Sequence, residues 1–166
     1  MTLAPLSHYD MEQVRLWRNL VPETLRTPFM LTEEQQRDYY DKVICDRRGN
    51  TRYWGLWTQA GFVGYGGIES IEWENRQGEI SLLIGPDYRG KGYGREAVRL
   101  FLEQAFEDMN LHAVHGECYY SSPAVDFWKK LIEHYRGHCV DLPHRKYHGG
   151  QYWPSCWFIF YRENWP

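Results

Sequence analysis

Residues 79–109, EISLLIGPDYRGKGYGREAVRLFLEQAFEDM, join three unlike pieces without a break. An apolar run of Ile80, Leu82, Leu83 and Ile84 stops at Gly85-Pro86. A basic, glycine-rich loop follows, and after it Ala97, Val98, Phe101, Leu102, Ala105, Phe106 and Met109 recur at steps of three and four. That last spacing predicts an amphipathic helix whose apolar face packs on a sheet, with the apolar run ahead of the loop as one strand of that sheet. Within the loop, Gly90, Gly92 and Gly94 let the backbone approach a ligand and turn its N–H groups inward. Arg89, Lys91 and Arg95 add positive charge at the start of a helix, where unpaired N–H groups already favour an anion. The junction reads as an anion site suited to a pyrophosphate. It is not a Walker loop, because no Gly-Lys-Ser/Thr closes it, and Gly-x-Gly-x-x-Gly does not occur in it.

At 166 residues the chain is long enough for one domain with a real core and too short for two ordinary ones, so a single domain over residues 1–166 is expected. Its net charge of −3, from 22 acidic and 19 basic residues, gives no overall positive field for nucleic acid and no basic tail for a membrane surface. The opening MTLAPLSHYD lacks the charged and apolar regions of an exported chain, and no spanning segment is evident, so a cytoplasmic protein is expected. Cys45, Cys118, Cys139 and Cys156 lie far apart, without the paired spacing of a zinc or redox motif, and are read as reduced thiols. His134, His138, His144 and His148 lie near Cys139, but only the first two share helical spacing and no Cys-x-x-Cys accompanies them; no metal site is expected.

In chain order, residues 3–6 read as a short strand. Asp10 is placed as the cap of a helix with Val14, Trp17 and Val21 on one face and Arg15 and Arg18 pointing elsewhere. Residues 22–31 read as a loop and a candidate lid over a substrate cleft. Thr32 with Gln35 is a capping-box pair for a second helix over about residues 33–45. Strands follow at 53–58 and 62–73, joined by a turn at Gln59-Ala60-Gly61, and then comes the strand at 79–84. After the glycine loop and its helix, a strand is expected at 113–119 and a helix begun by Ser122-Pro123, with Val125, Trp128, Leu131 and Ile132 on its apolar side. Residues 138–162 read as a hairpin. The predicted order is β-α-α-β-β-β-α-β-α-β-β.

Arg89-x-x-Gly92-x-Gly94, set after Gly85-Pro86-Asp87-Tyr88, resembles the acyl-CoA motif, Gln/Arg-x-x-Gly-x-Gly/Ala, of the GCN5-related N-acetyltransferase (GNAT) superfamily. The element order resembles that family's along nearly the whole chain. Trp17-Arg18-Asn19, residues 64–73 with Glu74-Asn75-Arg76 beyond them, and Arg145-Lys146 ahead of Arg162-Glu163-Asn164-Trp165 resemble the branch that holds ribosomal-protein N-terminal and amino-sugar N-acetyltransferases. The resemblance implies a mixed α/β GNAT fold: a mostly antiparallel sheet of about seven strands flanked by about four helices. It also implies acetyl-CoA as cosubstrate.

By that resemblance, backbone groups of Leu82, Leu83 and Ile84 hold the pantetheine arm and the thioester oxygen, while Arg89, Gly90, Lys91, Gly92, Tyr93, Gly94 and Arg95 hold the pyrophosphate. Glu79 matches a position where some members carry the base that takes the amine proton; Glu69, Glu72 and Glu117 are the alternatives. Family members commonly carry Asn-x-x-Ala-x-x-x-Tyr at the next helix, the Asn contacting CoA and the Tyr protonating the thiolate. Here the sequence reads Ser121-x-x-Ala124-x-x-x-Trp128. Indole is no useful proton donor at neutral pH, so Trp128 is left to pack against the thioester or the core. Either Tyr119 or Tyr120 then substitutes as the acid, or the thiolate leaves unaided, since a thiol pKa is only about 8.5.

The acceptor implied is an amino sugar or another small primary amine, flanked by residues 22–31 and the aromatic segment 146–153, with a protein N-terminus as the alternative. Those aromatics also suit a homodimer contact. Two other readings stand beside catalysis: a non-catalytic acyl-CoA binder, motivated by the missing Tyr, and a nucleotide-binding module built on the same glycines.

Overall fold

The computed structural model describes residues 1–22, 25–26 and 29–166. The elements follow the predicted order: β1 (Thr2–Ala4), α1 (His8–Leu20), α2 (Glu33–Tyr39, prolonged by a wider turn over Tyr40–Ile44), β2 (Arg52–Thr58), β3 (Gly61–Glu72), β4 (Gln77–Ile84), α3 (Tyr93–Glu103, prolonged over Gln104–Asp108), β5 (Ala113–Tyr119), α4 (Val125–His134), β6 (His138–His148) and β7 (Gln151–Tyr161). The strands form one sheet in the order β1-β2-β3-β4-β5-β7-β6. Every neighbour pair is antiparallel except β4-β5. This is the mixed, mostly antiparallel sheet that the sequence implied. Among the described residues, no helix is long and apolar enough to cross a membrane.

The predicted apolar face of α3 is the centre of the core. Ala97, Val98, Phe101, Leu102, Ala105 and Phe106 are all buried, against Ile68, Ile80, Val114, Phe158 and Phe160 from four strands. Across the sheet a smaller cluster of Leu6, Met11, Val14 and Tyr65 seats α1. Helices therefore cover both faces, and their apolar stripes hold them there.

Three local expectations are corrected. The cap of α1 is Ser7: Asp10 N donates to Ser7 Oγ at 3.3 Å while Ser7 N donates to Asp10 Oδ2 at 2.8 Å, so Asp10 serves as the second half of a capping box. The helix begins earlier because Ser7 offers the short acceptor and Asp10 sits three residues on. Arg18, expected to point away, turns toward the sheet, where its Nη1 donates to Tyr65 Oη at 3.2 Å. It lies four residues after the buried Val14 and so shares its side of the helix. Finally, Ser122 and Pro123 form a turn ahead of α4, whose cap is Ala124; Ser122 Oγ accepts from Ala124 N at 3.2 Å.

The feature that makes a site is a fork. β4 and β5 pair only through Gln77, Gly78 and Glu79 against Ala113, Val114 and His115. Beyond that point β4 stays with β3 as far as Ile84 opposite Gly64, and β5 stays with β7 as far as Tyr119 opposite Ser155. The strands diverge, and the inner edge of β4 is left without a strand partner. Gly66 fixes how closely β3 holds β4 there, since a Cβ at that position would lie 2.2 Å from Ser81 O and 3.0 Å from Leu82 Cα.

Candidate active site

A cavity of about 830 Å³ fills the fork. Leu82, Leu83 and Ile84 form one wall, Cys118 and Tyr119 the other, and Arg89, Gly90, Gly92, Gly94 and Arg95 stand at its mouth. Gly90 and Gly92 take φ of 73° and 84°, the left-handed region that glycine occupies without strain, and nothing lies within 4 Å of where their Cβ atoms would stand. The first N–H of α3 to find a carbonyl is that of Glu96, 3.3 Å from Gly92 O. The N–H groups ahead of it are left open at a helix N-terminus, an arrangement that suits an anion. Arg89 Nε donates to Ile84 O at 3.2 Å and ties the loop to the end of β4.

Two loop residues stand off the cavity. Lys91 folds back, its Nζ donating to Asp87 O at 2.9 Å and sitting 5.7 Å from the Tyr88 ring centroid, and the Tyr93 ring packs against the core. On the α4 side Trp128 stacks on Phe158 at 4.8 Å and also lines the cavity with Phe127, so it packs the core and walls the cleft at once. An apolar slot with an unpaired strand edge suits an amide-bearing arm, and an open cationic nest suits a diphosphate. The residues present therefore fit coenzyme A.

A second cavity, of about 530 Å³, adjoins the first and shares Arg26, Glu79, Glu117 and Tyr119 with it. Its floor follows from strand register. Glu69 pairs with Glu79 across β3-β4, and Glu79 pairs with His115 across β4-β5, so the three stand in one row on one face at the base of the fork. Each carboxylate is engaged. Glu79 forms an ion pair with Arg26, and Glu69 Oε2 accepts from Tyr53 Oη at 2.5 Å. Glu117, two residues beyond His115 on the same face, has a side chain only 6% exposed; its Oε1 accepts from Arg145 Nε at 2.8 Å and from Ser155 Oγ at 2.5 Å. Burial works to raise the Glu117 pKa, but the bonds from Arg145 and Ser155 outweigh it and hold the carboxyl below the ordinary value of 4.5.

The other predicted site residues fall elsewhere. Glu72 lies at the far end of β3, where Asn75 and Gln77 donate to it. Tyr120 lines neither cavity: its Oη donates to Asp141 at 2.7 Å, Lys129 Nζ lies 4.7 Å from its ring centroid, and its ring packs against the core. β5 ends at Tyr119, which lines both cavities with Glu117, and Tyr120 is the first residue of the turn beyond it. Ser121 Oγ is buried with no hydrogen-bond partner, and the cavity wall is made by Ser122, Pro123 and Ala124 instead. The residues of the candidate lid are divided: 23, 24, 27 and 28 lie outside the described residues, while Arg26 reaches Glu79. His138 and His144 pack edgewise or tilted on Tyr161 and Tyr152. Sequence reasoning missed Arg18, Arg26, Tyr53 and His115. The step of four from Val14 marked Arg18, and the row that contains His115 becomes visible only once β4 and β5 are paired.

A mixed sheet forked at its parallel pair, with a glycine nest at the tip of one prong and carboxylates at the base, defines an acyl-CoA-dependent acyltransferase. The chain belongs to the GNAT family of acetyl-CoA-dependent N-acetyltransferases, whose acetyltransferase domain matches residues 1–124. It is 29% identical over 91 residues to an uncharacterized N-acetyltransferase, YnaD, of Bacillus subtilis (strain 168), a match covering 52% of this chain and half (50%) of the Bacillus protein. It is 25% identical over 125 residues to the spermidine N(1)-acetyltransferase of Vibrio cholerae serotype O1, covering 75% of this chain and 71% of the other. Among solved structures, a spermidine N-acetyltransferase from Vibrio cholerae in complex with CoA and spermine superposes with a TM-score of 0.86 over 99% of this chain and 96% of that one. At 19% identity, that is a likeness of fold.

Proposed function

We propose that the chain moves an acetyl group from acetyl-CoA directly to a small primary amine held between the two cavities. The observation that carries this reading is the fork: one strand, β4, presents an unpaired edge beside Leu82, Leu83 and Ile84 and a carboxylate, Glu79, at the point where that edge begins. The thioester and the amine therefore meet across a few residues of one strand. The amine nitrogen attacks the thioester carbonyl carbon, a C–N bond forms and the C–S bond breaks. Glu79, with His115 beside it in the row, takes the one proton that the neutral amine nitrogen loses, and Arg26 must yield its hold on the carboxylate as the amine arrives. The sulfur departs as a thiolate, for which a thiol pKa of about 8.5 is low enough; Tyr119 is the hydroxyl on that wall.

Transfer through an acyl-cysteine is disfavoured by the state of the one thiol in the cleft. Burial pushes Cys118 up to about 11, so it stays protonated and is a poor nucleophile at neutral pH. The aromatic walls, Tyr39, Tyr53, Tyr119 and Trp157, suit a ring-bearing acceptor such as an amino sugar. A polyamine is the second reading, favoured by the likeness to spermidine N-acetyltransferases. The test is thiol release from acetyl-CoA with a panel of amino sugars, diamines, polyamines and peptides. Turnover with a small amine is expected. Failure to bind CoA at all would remove the reading, and tight CoA binding without transfer to any amine would replace it with a non-catalytic acyl-CoA binder.

A further inference from the structure

Among the described residues, the acceptor side of the cleft carries more cations than carboxylates. Arg18, Arg26, Arg145 and Lys146 face Glu69, Glu79 and Glu117. Two of those carboxylates already hold an arginine each, Glu79 with Arg26 and Glu117 with Arg145. Arg18 is different. Its Nη1 donates to Tyr65 Oη, its Nε is buried with no hydrogen-bond partner, and among the described residues no carboxylate lies within ion-pair distance of it. Burial works against its charge, yet the oxygens of Tyr65, Tyr39 and Tyr53 sustain it. Arg18 lines the cavity wall and its Nη2 makes no hydrogen bond among the described residues, so that N–H pair can meet an anion on the ligand, and a carboxylate matches it.

The place of that N–H pair relative to the reacting end is also set. Tyr65, which holds Arg18, and Tyr53, which holds Glu69, lie with ring centroids 5.4 Å apart. An anchor at Arg18 and an amine at the Glu69-Glu79 row are therefore separated by a pair of neighbouring tyrosines. A polyamine would instead bring further positive charge to a cleft whose described carboxylates, Glu69, Glu79 and Glu117, are already engaged.

We propose that the acceptor is a primary amine bearing a carboxylate a few bonds away, an amino-acid-like molecule whose carboxylate docks on Nη2 of Arg18. The proposal rests on the reading above that the amine enters over Glu69, Glu79 and His115. Arg18 is a positioning residue in it, and the chemistry stays with the row.

The experiment measures kcat and KM with acetyl-CoA for glycine, β-alanine and γ-aminobutyrate, for their amides, for aminoethyl phosphate, and for putrescine and spermidine. It is repeated with Arg18→Gln and Arg18→Lys. At least one carboxylate-bearing amine is expected to exceed its amide in kcat/KM by about tenfold or more, and the difference is expected in KM. Arg18→Gln is expected to erase that acid-to-amide ratio, a loss of about 10- to 100-fold, the worth of a charge-assisted hydrogen bond, with Arg18→Lys restoring part of it. Preference for spermidine, putrescine or the amides overturns the proposal, as does a ratio that Arg18→Gln leaves intact. Preference for aminoethyl phosphate overturns the carboxylate assignment. If CoA binds and no amine of any charge turns over, the transferase reading itself has failed, which the wild-type data alone reveal.

Discussion

The two halves of the cleft are built from different materials. The half proposed for the coenzyme is backbone: the bare edge of β4 at residues 82–84 and the open N–H groups of the turn into α3, with glycines at φ of 73° and 84°. The half proposed for the acceptor is side chain: Arg18 from α1, Arg26 from the following loop, Glu69, Glu79, His115 and Glu117 from three strands, and Arg145 and Lys146 from β6. A backbone site constrains a short stretch of sequence very tightly and leaves neighbouring side chains free. A side-chain site spreads its demands over the whole chain. The first can be kept while the second is rebuilt for another amine.

Substitutions that strike one half and spare the other would break this contrast or sharpen it. The largest effect is expected from Gly92→Glu, which puts a side chain at φ 84° and a negative charge into the nest. Calorimetry should find CoA affinity reduced by about 100-fold or more, and unchanged affinity would place the diphosphate elsewhere. Next, Glu79→Gln should lower kcat/KM by about 10²- to 10³-fold and flatten the acidic limb of the pH-rate profile, while CoA titrations stay as in the wild type. A mutant that keeps the full profile would make Glu79 a purely structural partner of Arg26.

A third effect is on stability. The folded Glu117 carboxyl titrates below its ordinary value of 4.5 because Arg145 and Ser155 prefer it charged. Its contribution is therefore complete above about pH 4.5 and is lost as pH falls through the lower folded value. Glu117→Gln should cost about 1 to 2 kcal/mol at neutral pH, and the cost should shrink in acid, as followed by denaturant unfolding at several pH values. A cost that is the same at every pH would contradict the charged pairing. The smallest effect is expected for Tyr120→Phe, which removes a hydroxyl bonded to Asp141 at a residue lining neither cavity and leaves the ring packed on the core: turnover should stay within about twofold. A large loss of rate would restore Tyr120 as the acid.

The same contrast explains what could be read from the letters. The α3 face from Ala97 to Phe106 and the glycine loop are local in sequence, so helical spacing and glycine chemistry disclose both, and the element order follows from turn and cap signals. Arg18 was misjudged because the apolar stripe was drawn through Val14, Trp17 and Val21, although a step of four from Val14 already put it on the inward side. Tyr119 and Tyr120 could not be separated before it was known where β5 ends and which of its residues line the cleft. Glu69, Glu79 and His115 become a row only through the pairings of β3 with β4 and β4 with β5, and no local pattern encodes that register.

The central claim is that the splayed edge of β4 and the turn into α3 grip the coenzyme through their amides. Amide hydrogen exchange resolved to single residues, with and without acetyl-CoA, tests it most directly. Protection is expected to rise at residues 82–84 and 90–95 and to remain unchanged in β1 and β2. Protection that rises elsewhere, with those amides exchanging as before, would contradict the account.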